Sequence, residues 1–185
     1  MLILGIDPGS ITTGWALLKS KGNKVYYVAS GVLRFDQKKD FMSRLGEIKQ
    51  KSQDLIEQLQ PDQVVLESLI YVKSPTALMK LAQTRGVILS NLVQKYENKI
   101  FEYSPNFVKS VSVGHGHADK QSVKKFLDMM LGARDYATHD ESDAVAIALC
   151  HIVAAGNEKQ ANKAGKTTSK KNRGGLSASL AHKVG

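Results

Sequence analysis

Two kinds of apolar periodicity follow one another along this chain, and their order limits what it can fold into. Strand-like runs come first. Leu2 to Ile6 is apolar and ends at Asp7-Pro8-Gly9, which reads as a strand and a turn. Thr13 to Lys19 and Lys24 to Phe35 read as two more strands, joined by a hairpin at Gly22-Asn23. After them, helical and strand patterns alternate. Phe41, Leu45, Ile48, Leu55, Ile56 and Leu59 recur at helical spacing, with Asp40 placed to cap and Pro61 to terminate. Gln63 to Glu67 is a β-branched strand, Pro75 to about Lys95 a helix, and Lys99 to Tyr103 a fifth strand. A short helix at Asn106 to Val113 and a Gly114-His115-Gly116-His117 loop come next. Asp119 can cap a helix running to about Leu131, and an alanine-rich, mostly apolar helix spans about Asp140 to Ala155. A three-strand meander followed by alternating helices and strands predicts an α/β fold, a mixed five-stranded sheet flanked by helices.

The chain has 185 residues, enough for one domain with something left over. Its single cysteine excludes an internal disulfide framework and a cysteine-based zinc cluster, and fits a reducing, cytoplasmic setting. The most apolar stretch, Ala144 to Ala155, is interrupted by His151 and falls short of the roughly 20 residues a membrane span needs. The amino terminus has no basic segment and carries Asp7, so no signal peptide is expected. The net charge of +9 is unevenly spread: residues 156–185 hold seven Lys/Arg against one Glu, and the remainder holds 19 against 16. That last segment has no aromatic residue and too little apolar surface to offset its ordering entropy. The expected organisation is a folded domain over 1–155 and a disordered basic tail over 156–185, which is either a solvated terminus or a phosphate-binding arm.

Four carboxylates stand out by position. Asp7 follows the first strand, Glu67 closes the fourth, and Asp140 and Asp143 open the last helix. Three residues along a helix leave two side chains about 60° apart, on one face. Asp7 and Glu67 are carried by apolar strands whose ends converge if the strands are neighbours. Several inward carboxylates repel unless cations neutralise them, and hard oxygen ligands select Mg²⁺ or Mn²⁺. Two such ions clamp both oxygens of an in-line phosphoryl displacement. Taken singly, each acid has a blander reading: Asp7 in a turn, Glu67 paired with a lysine, Asp140 as a helix N-cap. His139 is placed as a spare ligand or proton carrier, and His115 and His117 as a metal pair or simply a glycine-rich loop. Cys150 reads as a small core residue, and Lys109, Lys120, Lys124 and Lys125 as phosphate-facing or merely solvated cations.

The opening Gly5-Ile6-Asp7-Pro8-Gly9-Ser10-x-x-Thr13-Gly14 resembles that of RuvC-type Holliday junction resolvases. The order of the later motifs is similar too: Glu67 after an apolar strand, Ala77-Leu78-x-Lys80-Leu81-x-Gln83-x-Arg85-Gly86, and Tyr103-x-Pro105-x-x-Val108-Lys109. Gly114-x-Gly116-x-Ala118-x-Lys120 and Asp140-x-x-Asp143-Ala144-x-Ala146-Ile147-Ala148 complete it, so that the resemblance covers about residues 1–155. It implies a ribonuclease-H-like fold, a homodimer, and Mg²⁺-dependent paired nicking of four-way DNA junctions that leaves 5′-phosphate and 3′-hydroxyl ends. It places the family's four catalytic, metal-binding acids on Asp7, Glu67, Asp140 and Asp143, and its two active-site lysines on Lys109 and Lys120. In those roles Asp7 bridges two ions, Glu67 and Asp143 hold one each, and Asp140 assists. It also implies RuvA and RuvB branch-migration proteins as partners. Where some members carry a base-stacking phenylalanine, this chain has Ile70, with Tyr71 beside it. Either side chain suits a DNA contact, Ile70 as a wedge and Tyr71 as a stacking platform.

Three other readings compete. An ATP-handling module of the actin and sugar-kinase type needs two such domains, and the chain is too short for that; it also lacks a G-x-x-x-x-G-K-[ST] loop. A non-catalytic junction binder would leave the set of four acids unexplained. A different nuclease on the same fold, acting on RNA–DNA hybrid or flaps, differs only in substrate.

Overall fold

The computed structural model describes residues 1–69, 74–113 and 120–171, of which 112–113, 120 and 157–171 are described by their backbone alone. Five strands form one sheet: β1 (Leu2–Asp7), β2 (Thr12–Lys21), β3 (Lys24–Arg34), β4 (Gln63–Glu67) and β5 (Ile100–Tyr103). Their order is β3-β2-β1-β4-β5. β1, β2 and β3 pair antiparallel, whereas β4 lies parallel to β1 and β5 parallel to β4. Gly22 turns the β2–β3 hairpin at φ 62°, and Lys21 pairs with Lys24 across it. Five helices accompany the sheet: α1 (Phe41–Leu59), α2 (Pro75–Ser90), α3 (Pro105–Val113), α4 (Lys120–Leu131) and α5 (His139–Lys171).

The pleat sorts the apolar residues onto two faces, as a period of two requires. Leu4, Ile6, Leu17, Val64 and Leu66 join Ile48 and Ile56 of α1 and Ile88 of α2 in one core. Ile3, Ala16, Leu18 and Val65 face the other way and pack with Val108, Leu127 and the run Ala144–Cys150 of α5. On the first face both helices are capped, α1 as the sequence predicts. Asp40 accepts the Ser43 amide at 3.0 Å, and Ser74 accepts that of Ala77 at 3.3 Å ahead of Pro75. Gln60 ends α1 at φ 43°, just before Pro61.

Two helix ends differ from the expectation. α2 stops at Ser90 rather than near Lys95, because the Asn91 side chain turns to donate to the Lys49 carbonyl at 2.9 Å and the Ser52 hydroxyl at 2.8 Å. α5 runs past Ala155 to Lys171, so part of the segment expected to lack structure is helical. Residues 158–164 are rich in good helix formers, which outweighs the shortage of apolar residues that suggested a disordered tail there. No helix among the described residues is long and apolar enough to cross a membrane.

Candidate active site

β1 and β4 are parallel neighbours with Ile6 opposite Leu66, so Asp7 and Glu67 close adjacent strands at the same end. By the pleat both fall on the face of Gly5 and Val65, which α5 covers. The turn after Asp7 is tight. Thr13, 1% exposed, exchanges hydrogen bonds with the backbone of Gly9, its hydroxyl lying 3.2 Å from the Gly9 nitrogen and 3.1 Å from the Gly9 oxygen. A Cβ on Gly9 would stand 2.1 Å from the Thr12 carbonyl oxygen, so a side chain does not fit there.

α5 reaches the strand ends because two glycines let it. A Cβ on Gly5 would stand 2.3 Å from the Ala144 carbonyl oxygen, and one on Gly14 would stand 1.8 Å from that of Asp140. Gly14 pairs with Asp7 across β1 and β2, so the first turn of α5 lies directly beside Asp7. The Thr12 hydroxyl donates to the Asp140 carboxylate and fixes it from the β2 side. Asp140 is therefore not the helix N-cap. Thr138 caps α5, its hydroxyl accepting the Glu141 amide at 3.2 Å, which leaves the Asp140 side chain free to turn toward the site. Glu67 is steadied from behind: Arg85 of α2 donates to its backbone carbonyl at 3.4 Å and pairs with Glu102 of β5 at 2.6 Å.

The electrostatics show that the four acids form one group. Asp7 is pushed up from 3.8 to about 8, first by burial and then by the charges of Asp143, Glu67 and Asp140. Glu67 is raised as well, by burial and by Asp143, while Lys109 of α3 pulls it back. A cavity of about 820 Å³ between α3, α4 and α5 opens beside them, lined in part by Glu67, Lys109, Lys124, His139, Ser142 and Asp143. An all-oxygen donor set whose crowded charges raise Asp7 fits a hard divalent cation, which would relieve that repulsion. Among the described residues no three of these side chains stand at metal-ligating spacing.

His139 lines the same cavity as Asp143. Ile70, Tyr71, His115, His117 and Asp119 lie outside the described residues, and α4 begins at Lys120, whose side chain does too. Cys150 is fully buried, and burial pushes its thiol up to about 12, so it is an inert core residue. Sequence reasoning passed over Thr12 and Glu141, and named Arg85 only within a motif, without a role. Only the Thr138-x-x-Glu141 spacing, that of a capping box, carried a signal for Glu141.

Residues 3–151 match the family model "Crossover junction endodeoxyribonuclease RuvC". Curated proteins of that name are close relatives. The one from Geotalea uraniireducens is 37% identical over 171 residues, covering 90% of this chain and 99% of its own length. The one from Bartonella henselae is 36% identical over 149 residues, covering 80% and 88%. Among solved structures, T. thermophilus RuvC in complex with Holliday junction substrate superposes with a TM-score of 0.77 at 25% identity, covering 85% of this chain and 96% of that one. A ribonuclease-H-like sheet with its acids at the strand ends, matched along nearly all of its folded length, leaves one assignment: the chain belongs to the RuvC family of crossover junction endodeoxyribonucleases.

Proposed function

We propose that this chain resolves four-way DNA junctions by paired, symmetric nicks that leave 5′-phosphate and 3′-hydroxyl ends. The observation that carries the reading is the meeting of Asp7, Glu67, Asp140 and Asp143, from three elements, in one electrostatic group. These four would hold Mg²⁺, two ions per site with Mn²⁺ able to replace it, and the ions would activate the attacking water and neutralise the scissile phosphate. Asp7, the most central, would hold both ions, Glu67 and Asp143 would hold one each, and Asp140, held by Thr12, would help orient the attacking water. Lys109 lies close enough for its charge to act on Glu67 and faces the phosphate, a place Lys120 shares in this reading.

A junction has two-fold symmetry, so two copies of this site in a homodimer meet its opposed strands. RuvA and RuvB supply the migrating junction in the cytoplasm. Ile70 and Tyr71 contact bases at the crossover, by wedging and stacking respectively. Residues 1–155 form the nuclease domain, and the basic segment 156–185 adds non-specific phosphate contacts.

The test is a choice of substrate. Purified protein is given a four-way junction with a randomised crossover, matched duplex, and RNA–DNA hybrid, each with Mg²⁺ or chelator. Paired Mg²⁺-dependent nicks on the junction alone are expected. Cuts on the hybrid instead would keep the fold and overturn the substrate; tight binding without cuts would leave a non-catalytic binder.

A further inference from the structure

The start of α5 holds three acids, Asp140, Glu141 and Asp143, and the site uses two of them. Helical geometry puts Asp143 about 60° from Asp140 but Glu141 about 160° from Asp143, on the far side of the helix. Glu141 is only 7% exposed, a costly place for a charge beside an acidic cluster unless its oxygens are bonded. Both are. One accepts the backbone amide of Ala137 at 2.7 Å, and the other accepts the hydroxyl of Ser30 on β3 at 2.5 Å. Ser30 in turn lies 2.9 Å from the Tyr27 hydroxyl. The guanidinium of Arg134 sits over the Tyr27 ring, 3.7 Å from its centre, while donating to the Leu131 carbonyl at 3.0 Å. The connection from α4 to α5 is thus tied to β3 at both ends. Most of it faces solvent, residues 132, 133, 135 and 137 being exposed, while Tyr136 packs on the core around α5.

We propose that Glu141 is a positioning residue: by latching the start of α5 to Ser30 of β3, it sets Asp140 and Asp143 against Asp7 and Glu67. The inference rests on reading those four acids as a metal site. Glu141 itself takes no part in holding the ion, because both of its oxygens are engaged on the opposite side of the helix. Repulsion among the four acids pushes the helix start outward when no cation is present, and the latch opposes that push.

The test reads metal affinity without DNA, by the Mn²⁺ electron paramagnetic resonance signal, for wild type, Glu141→Ala, Glu141→Gln and Ser30→Ala. Thermal melts and amide exchange over 137–143 are followed in parallel. Glu141→Ala is expected to weaken Mn²⁺ binding about tenfold, the lower end for a residue that orients a ligand. It should raise the Mg²⁺ concentration needed for nicking by a similar factor, leave junction affinity in chelator unchanged, and speed exchange at the Ala137 amide. Glu141→Gln keeps an acceptor for Ala137 and a hydrogen bond to Ser30, so it should restore wild-type values. If Glu141→Ala does not fold, Ser30→Ala, which cuts only the β3 end of the latch, should still weaken Mn²⁺ binding severalfold. Unchanged Mn²⁺ affinity in the alanine variants would overturn the proposal. So would a glutamine variant as impaired as the alanine one, which would make Glu141 a direct charge in the site. A wild type that binds Mn²⁺ and shows the latch effect, yet cuts no junction, would overturn the proposed function and leave the positioning role standing.

Discussion

The two faces of the sheet are built from the same strands and do opposite work. On one, Ile6 and Leu66 meet Ile48 and Ile56 of α1 and Ile88 of α2 through large aliphatic side chains. On the other, Gly5 and Gly14 remove the side chains between sheet and helix, and α5 answers with Ala144 and Ala148. One residue further along β1 and β4, that second face carries Asp7 and Glu67. The first face is made for stability. The second gives up side-chain volume so that a helix start bearing two acids can come within electrostatic reach of two more, and the cost is visible in the upward shift of Asp7.

The contrast can be broken at named positions. Ile48 is fully buried on the α1 face, and Ile48→Ala should cost about 2–5 kcal/mol in denaturant unfolding. Cleavage per folded molecule should hardly change, since Ile48 packs on the face of the sheet opposite the acids. Gly14→Ala should do the reverse. Its methyl meets the Asp140 carbonyl, so a strain of about 1–3 kcal/mol is expected together with a fall in single-turnover cleavage far larger than the stability loss explains.

A third prediction comes from Asp7. Its folded value of about 8 lies above the ordinary 3.8. The metal-free protein therefore has this group's full stabilising contribution only below pH 3.8, and loses it as the pH rises through about 8. In chelator at pH 8, Asp7→Asn should melt a few degrees above wild type, on a scale where about 1 kcal/mol moves the midpoint roughly 2–4 °C. The gap should close toward pH 4 and shrink or reverse with Mg²⁺. The smallest effect is expected back on the first face. A Cβ at Gly46 of α1 meets nothing within 4 Å, so Gly46→Ala should stabilise by up to about 1 kcal/mol and leave cleavage alone.

These two faces were not equally legible in the sequence. The strands, their hairpin and the cap of α1 arise from local patterns of a few residues, which is why Asp40 and Gly22 do what their types suggest. The four acids were legible because each stands at the end of an apolar run or at the start of one. The parts that hold them were not. Thr12 bonds Asp140 across 128 residues of chain and Ser30 bonds Glu141 across 111, and no periodicity encodes such pairings. Gly14 is an ordinary strand glycine until α5 is seen lying on it. The end of α2 and the length of α5 were misjudged for different reasons: one is set by the tertiary bonds of Asn91, the other by helix propensity in a segment judged on hydrophobicity alone.

The central claim is that acids from β1, β4 and α5 act as one catalytic metal site, with Asp7 at its middle. It is tested most directly by single-turnover nicking of a four-way junction in Mg²⁺ by Asp7→Asn, beside a binding titration in chelator. Nicking lost to background, with junction affinity kept and the fold intact, is the expected result. Paired nicks at the wild-type rate from that variant would contradict the assignment of the site.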